Sequence, residues 1–291
     1  MNLYLALTKL NGSFRNSKLE QAIAAKGVEK GAEKGNNKGQ LYRQLIDRYE
    51  KFYKDNRTNL TWYKQQIGRY YQAVTEFPCR CFIMNCHTPL VIGQGEASVL
   101  ETFLTLHRIY GVPYLPGTAV KGAAAHFCHR FGDKDARFRE GGEIYSLLFG
   151  SQEQQALITY HDAFPTVDSV GSAIRLDVMT PHHQQYNQMV AGQTLPGQAQ
   201  APRDDDSPIP IPFLAVSADF RLALTCRSND PVDKKWLEIA GKIVSEALQQ
   251  EGLGGKTNAG YGQLRLLTWD DDCGDGMGRQ TPVREKEGVA K

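Results

Sequence analysis

Between Gly252 and Gly262 the chain reads GLGGKTNAGYG, and five of these eleven residues are glycine. Glycine takes φ > 0 freely and lets another chain approach its N–H groups closely. Lys256, Thr257, Asn258 and Tyr261 stand between the glycines. They add one charge, hydrogen-bonding groups and one aromatic face. A polyanion that carries bases is held by such parts. Gly254, Gly255, Lys256, Thr257, Asn258 and Tyr261 are therefore the first candidate RNA-binding set. A structural reading stands beside this one. Gly252 at C′, with Leu253 behind it, ends a helix well, but it does not account for the polar residues that follow.

Gly255-Lys256-Thr257 also looks like the end of a nucleotide P-loop. That motif needs a glycine five residues earlier, where this chain has Gln250. It also needs strand, loop, then helix, so that phosphate meets a helix N-terminus. Here the order is helix, loop, strand, so the match fails a second time and the sequence weighs against NTP hydrolysis.

The second candidate set lies in Tyr114–Gly122, YLPGTAVKG. Pro116-Gly117 reads as a turn, Thr118 as the cap of a helix running to about Phe131, and Lys121 as a first-turn residue. A cation there opposes the helix dipole by about 0.3–1 kcal/mol. Phosphate at the same N-terminus would turn that cost to use. The alternative is a solvent-facing lysine that tolerates it.

The third set is His182 and His183, in a polar, unpatterned run from Met179 to Ser207 that ends in Asp204-Asp205-Asp206. Unpatterned segments of this length are usually functional or disordered. The histidines are either acid–base groups for RNA cleavage or hydrogen-bond donors to a ligand. His161-Asp162 lacks the further ligands of a two-metal phosphohydrolase. The six cysteines lack zinc spacing. The residues call for no metal and no cofactor.

The elements that would position these groups are legible in part. Asp230 as cap, Pro231 at N1, Asp233 in the first turn and the stripe Trp236, Ala240, Ile243, Val244, Ala247, Leu248 predict a helix that delivers the chain into the glycine loop. Leu264–Leu267 after it reads as a strand. Arg80–Cys86, Leu157–Ala163 and Ser172–Val178 read as strands, and Ile211–Thr225 as one long strand or hairpin arm. Ser98 and Glu101 form a capping box for a helix through Phe103, Leu104 and His107.

Residues 24–40 are Lys/Gly-rich and too polar to order themselves. Two helical runs follow, with their tyrosines as core. Between Lys26 and Tyr70 eleven Lys/Arg face five Asp/Glu, a net of +6 in a chain whose total is +2. Basic residues interleaved with aromatics suit contact with RNA or a partner, and the alternative is a solvated helix pair. The domain reading is a basic, partly flexible helical extension over 1–76, a core domain over 77–270 with an insertion at about 179–207, and a disordered tail over 271–291. No run approaches the roughly 20 apolar residues of a membrane span, and the N-terminus is too weakly apolar for a signal peptide. A reduced, cytoplasmic protein with no membrane partner is expected. The order β, helices, β, β, α, β predicts an α+β fold. Its core would be ferredoxin-like (RRM-like), βαββαβ with an antiparallel sheet, a helical N-terminal extension and the C-terminal glycine-rich loop.

Tyr114–Gly122, then Leu148-Phe149-Gly150, then the loop ending in Gly260-Tyr261-Gly262 resemble, in that order, the RAMP superfamily of CRISPR effector proteins. Leu176-Asp177-Val178 to His182, with Tyr186 and the strand start at Pro208–Phe213, further resembles a subunit of the type III-B (Cmr) complexes. The resemblance implies a non-catalytic RNA-binding and assembly subunit. It would contact guide (CRISPR) RNA toward its 3′ end, target RNA and neighbouring RAMP subunits. Relatives that cut RNA use an aspartate in the loop after the first strand, where this chain has only Glu96. Metal-independent endoribonuclease processing of CRISPR RNA through His182 or His183 is the alternative.

Overall fold

The computed structural model describes residues 2–8, 35–95, 103–180 and 210–270. Strand β1 (Cys79–Cys86) lies inside the main sheet because its apolar residues alternate toward buried positions. It pairs antiparallel with β6 (Asp219–Cys226) on one side and β7 (Leu264–Asp270) on the other. Strand β2 (Ile158–Tyr160) adds to the far edge of β6, and two-residue β3 (Phe164–Pro165) pairs with β6 as well. The order is β2-β6-β1-β7. Strand β6 is buried along almost its whole length, as a strand covered on both faces must be.

Long helices pack against the strands. Helix α6 (Pro231–Gln250) turns Leu237, Ala240, Val244 and Leu248 inward. It packs on β1, β6, β7 and on helix α4 (Gly117–Phe131). Helices α2 (Gly35–Lys54) and α3 (Arg57–Val74) bury Tyr49, Tyr53, Tyr63 and Tyr71 in the same cluster as the sheet residues. The Tyr71 hydroxyl donates to the Arg221 carbonyl at 2.5 Å. Arg221 in turn makes a 2.6 Å ion pair with Asp270, across β1. Two shorter helices complete the set, α1 (Leu3–Thr8) and α5 (Glu143–Phe149), the latter ending at Gly150 with φ 79°.

Several expectations need correcting. Ser172–Val178 does not enter the main sheet. Its strand, β4 (Ile174–Met179), pairs with β5 (Ile211–Val216) in a separate two-stranded sheet. Ile211–Thr225 is consequently two strands in two sheets. The break follows Val216, whose N–H and carbonyl both bond Leu90 at 2.8 Å.

The helix expected through Phe103–His107 is absent there. Thr105 N–H bonds the Ile92 carbonyl and Leu106 bridges Pro113. Burial alternates over Phe103–Leu106, so the period is 2 and not 3.6. Ser98 and Glu101 lie outside the described residues.

The low-complexity reading of 24–40 fails at its C-terminal end, where α2 already runs from Gly35. Lys38 is 8% exposed and lies over the Tyr42 ring, and Gly39 faces Pro212. Docking on another element supplies the burial that composition alone does not show. The reading of a fully reduced chain does not hold for Cys81, which is disulfide-bonded. Pairing depends on spatial approach, not on sequence spacing. Cys79, Cys86, Cys128 and Cys226 are free thiols.

Candidate nucleic-acid interface

Helix α6 starts where its sequence says. The Asp230 carboxylate accepts the Val232 N–H at 2.7 Å with Pro231 following. It stops at Gly252, whose φ is 79° and whose N–H returns to the Ala247 carbonyl. The glycine loop then closes a neck. Leu253 N–H bonds the Gly262 carbonyl at 2.9 Å, and Gly262 N–H bonds the Pro89 carbonyl at 2.8 Å. Gly255 N–H bonds the Val91 carbonyl at 2.7 Å. Clearance is minimal here. A Cβ at Gly262 would collide with the Leu253 carbonyl, and one at Gly254 with the Val91 carbonyl. The loop is therefore a rigid projection clamped on the segment that follows β1.

Its tip is exposed. Gly254, Gly255, Lys256, Asn258, Ala259 and Gly260 all face solvent, and Thr257 is half-buried. Thr257–Ala259 form one turn of 3₁₀ helix, closed by Ala259 N–H to the Lys256 carbonyl and Gly260 N–H to the Thr257 carbonyl. The N–H groups that open such a turn have no partner within it. Lys256 caps the turn with φ 61° and is the one non-glycine residue with positive φ among those described. That conformation costs an L-residue roughly 1–2 kcal/mol. A glycine at this position would avoid the cost.

Tyr261 is engaged differently from Lys256. Its hydroxyl donates to Asp177 Oδ2 at 3.1 Å, and its ring centroid is 6.0 Å from that of Phe213. It belongs to a small cluster with Val91, Phe213, Ala215 and Met179. Burial, and then the bond to Asp177, raise its pKa. The half-buried ring mainly serves to lock the loop to the β4–β5 sheet. Asp177 was singled out in the sequence only as part of a motif. Nothing local marked it as the partner of Tyr261, 84 residues away.

Helix α4 holds Thr118 and Lys121. Thr118 is not the cap. It is exposed in the second helical position, and no side chain of the residue before Gly117 caps the helix. Asp162 does so instead, accepting the Gly117 N–H at 2.7 Å from 45 residues away. The anion at this N-terminus is thus the chain's own carboxylate, which also offsets the Lys121 charge against the helix dipole. Lys121 is half-buried one turn further on. His126 and Arg130, on the exposed side of α4, reach Glu251 at 2.9 and 3.1 Å. Glu251 immediately precedes Gly252, so the two candidate segments share one anchor. Lys121 lies five residues, or about 7 Å along the helix axis, from His126.

His182 and His183 lie outside the described residues, as does Glu96. His161 bonds Thr225 Oγ1 at 2.8 Å, and the His107 ring stacks on Tyr110 at 4.3 Å. Burial lowers the pKa of both. Both are built into the packing.

An antiparallel sheet with helices, a clamped glycine loop at the end of α6 and a helix opening on PGTAVKG define the class. The sequence model of the RAMP superfamily matches residues 83–265, and the chain belongs to that superfamily. It is similar to the CRISPR system Cmr subunit Cmr6 of Pyrococcus furiosus (strain ATCC 43587 / DSM 3638 / JCM 8422 / Vc1). The two are 28% identical over 278 residues, covering 77% of this chain and 75% of the relative. Its fold matches a chain in the cryo-EM structure of the Type III-B Cmr-beta bound to cognate target RNA. The TM-score is 0.51 at 15% identity, over 90% of this chain and 85% of the other. The crystal structure of Cmr6 from Pyrococcus furiosus aligns with 65% of this chain and 97% of its own, at 26% identity and TM-score 0.40.

Proposed function

We propose that this chain is a non-catalytic RNA-binding and assembly subunit of a type III-B CRISPR effector ribonucleoprotein. It contacts the guide RNA toward its 3′ end, lies near target RNA and joins neighbouring RAMP subunits in the cytoplasm. Membership of the superfamily supports the class, and likeness to Cmr6 supports the subunit. The strand order β2-β6-β1-β7, with α4 after β1 and α6 after β6, supports a ferredoxin-like core.

The observation that carries the reading is Lys256. It is exposed, held at φ 61° on a clamped glycine loop and next to the opening N–H groups of a 3₁₀ turn. A cation and the opening N–H groups of a turn on a rigid backbone suit phosphate oxygens. Phosphate contacts position a strand without reading its sequence, as a subunit serving any guide requires. The experiment is a titration of single-stranded RNA with the wild-type chain and Lys256→Ala. Binding unchanged by the substitution, with the fold intact, would remove the loop from the RNA surface.

A further inference from the structure

Three elements that carry none of the candidate site residues meet at one exposed apolar surface. Leu5 on α1 is 49% exposed, Trp62 on α3 is 39% exposed and Ile109 is 71% exposed. Ile109 stands in the turn that links Leu106 to Pro113. The elements that carry them are joined. The Asn2 amide donates to the carbonyls of Arg108 and Ile109 at 2.7 and 3.0 Å, and its oxygen accepts the Leu5 N–H at 3.1 Å. The Trp62 ring stands edge-on to Tyr110 at 6.0 Å. Tyr110 is itself held by the Tyr53 hydroxyl and the stacked His107 ring. The turn is thus fixed from three sides, and its apolar residues are presented on a rigid support. Contiguous exposed apolar patches mark interaction sites.

Basic groups outnumber acidic ones on the described elements beside the patch, Asp55 being the exposed carboxylate just before α3. Arg108 is exposed, with its guanidinium 5.9 Å from the Tyr4 ring. Helix α3 carries Arg57, Lys64 and Arg69, all exposed, and no carboxylate. Arg69 is seven residues after Trp62 and so lies in the same stripe, two turns along. Glu50 on α2 is taken up by Lys54 at 3.2 Å.

We propose that this surface docks a protein segment of acidic, amphipathic chemistry. Its aliphatic or aromatic side chains cover Leu5, Ile109 and Trp62, and its carboxylates meet Arg108 and Arg69. The arrangement is that of a protein interface, an apolar centre with a polar, arginine-bearing rim. It does not suit RNA, because bases stack on aromatic faces and the most exposed residue, Ile109, has none. The inference goes beyond the function proposed above, since it assigns a second surface that the glycine loop does not use.

A tagged chain carrying Arg69→Lys is expressed in the native host, so that position 69 presents a coupling amine. The complex it enters and the free chain are compared by hydroxyl-radical footprinting. In the complex, oxidation of Trp62 and Ile109 falls to the level of buried Tyr63, and the protection survives RNase. Carbodiimide then joins the amine at position 69 to an Asp or Glu of another chain. Ile109→Glu loses that chain from the complex without lowering the melting temperature. The proposal is overturned if Trp62 and Ile109 stay as reactive in the complex as in the free chain. It is equally overturned if protection disappears with RNase, which would make this an RNA surface, or if the coupling runs to the chain's own Asp204–Asp206. A chain recovered without partners would sink the proposed function as well, whereas partners with an open patch sink this inference alone.

Discussion

The Tyr261 hydroxyl donates a 3.1 Å hydrogen bond to the Asp177 carboxylate, and through it the end of the glycine loop is fastened to strand β4. Tyr261 belongs to a motif of the superfamily resemblance, and Asp177 to the stretch that resembles the type III-B subunit. Tyr261→Phe removes the donor and keeps the ring on Phe213. The expected loss of stability is about 0.5–1.5 kcal/mol, read from thermal melts. Hydrogen exchange at Lys256–Gly262 should rise more than exchange in α6. Equal rises in both would mean that the bond supports the whole fold and not the loop.

Lys256 separates charge from conformation. Lys256→Ala keeps the positive φ, so its stability stays within about 0.5 kcal/mol of the wild type. It loses a charge-assisted contact to phosphate, worth roughly 1.5–3 kcal/mol. Lys256→Gly relieves the strain and should melt higher by roughly 1 kcal/mol of stability, yet bind RNA as weakly as the alanine variant. With about four phosphates bound, the log–log salt slope of the wild type is near −3, and either variant reduces it by about 0.7. A glycine variant that binds RNA like the wild type would show that the lysine is not kept for its charge.

Two glycines of the loop should respond unequally. Both have positive φ, 85° at Gly260 and 78° at Gly262. A Cβ at Gly260 meets open space, so Gly260→Ala costs only the strain, roughly 1–2 kcal/mol. At Gly262 the new methyl also meets the Leu253 carbonyl, and the neck must open. Gly262→Ala is therefore the more destabilising of the two and also lowers RNA binding. Denaturant midpoints that rank them in the opposite order would contradict the clamped geometry.

Asp162 caps α4. Asp162→Ala should cost about 1 kcal/mol, the usual value of a lost cap. Asp162→Asn keeps an acceptor for the Gly117 N–H and loses only the charge facing the helix dipole, about 0.3–1 kcal/mol. Urea melts of the pair decide it. Identical losses would mean that Asp162 acts by charge alone.

Alkaline pH should unfold the chain cooperatively. Burial raises the pKa of Tyr49, Tyr63, Tyr70, Tyr71 and Tyr160 and pushes the Cys86 thiol up to about 12. A group whose folded pKa is raised binds its proton better in the folded state. The stability it contributes is full below its unfolded value, about pH 10 for tyrosine, and is lost as pH climbs toward the folded value. Tyrosinate absorbance should therefore appear together with loss of helical circular dichroism. Absorbance that grows while the helices persist would show the rings to be accessible.

Local signals were enough for some of this protein. Asp230, Pro231 and the apolar stripe placed α6, and Gly252 placed its end, because caps and stops act within a few residues. The three ordered motifs carried the superfamily. Tertiary structure alone decided the rest. Leu100, Phe103, Leu104 and His107 fit a helical period, but the chain from Phe103 takes the extended one since Ile92 offers it a pairing partner. The strands Ile174–Met179 and Ile211–Val216 pair with each other instead of entering the main sheet, because Val216 bonds Leu90 and turns the chain there. The Asp162 cap and the Tyr261–Asp177 bond arise from contacts between segments distant in sequence, 45 and 84 residues apart. Such contacts depend on how the whole chain returns on itself, which no short window of residues encodes.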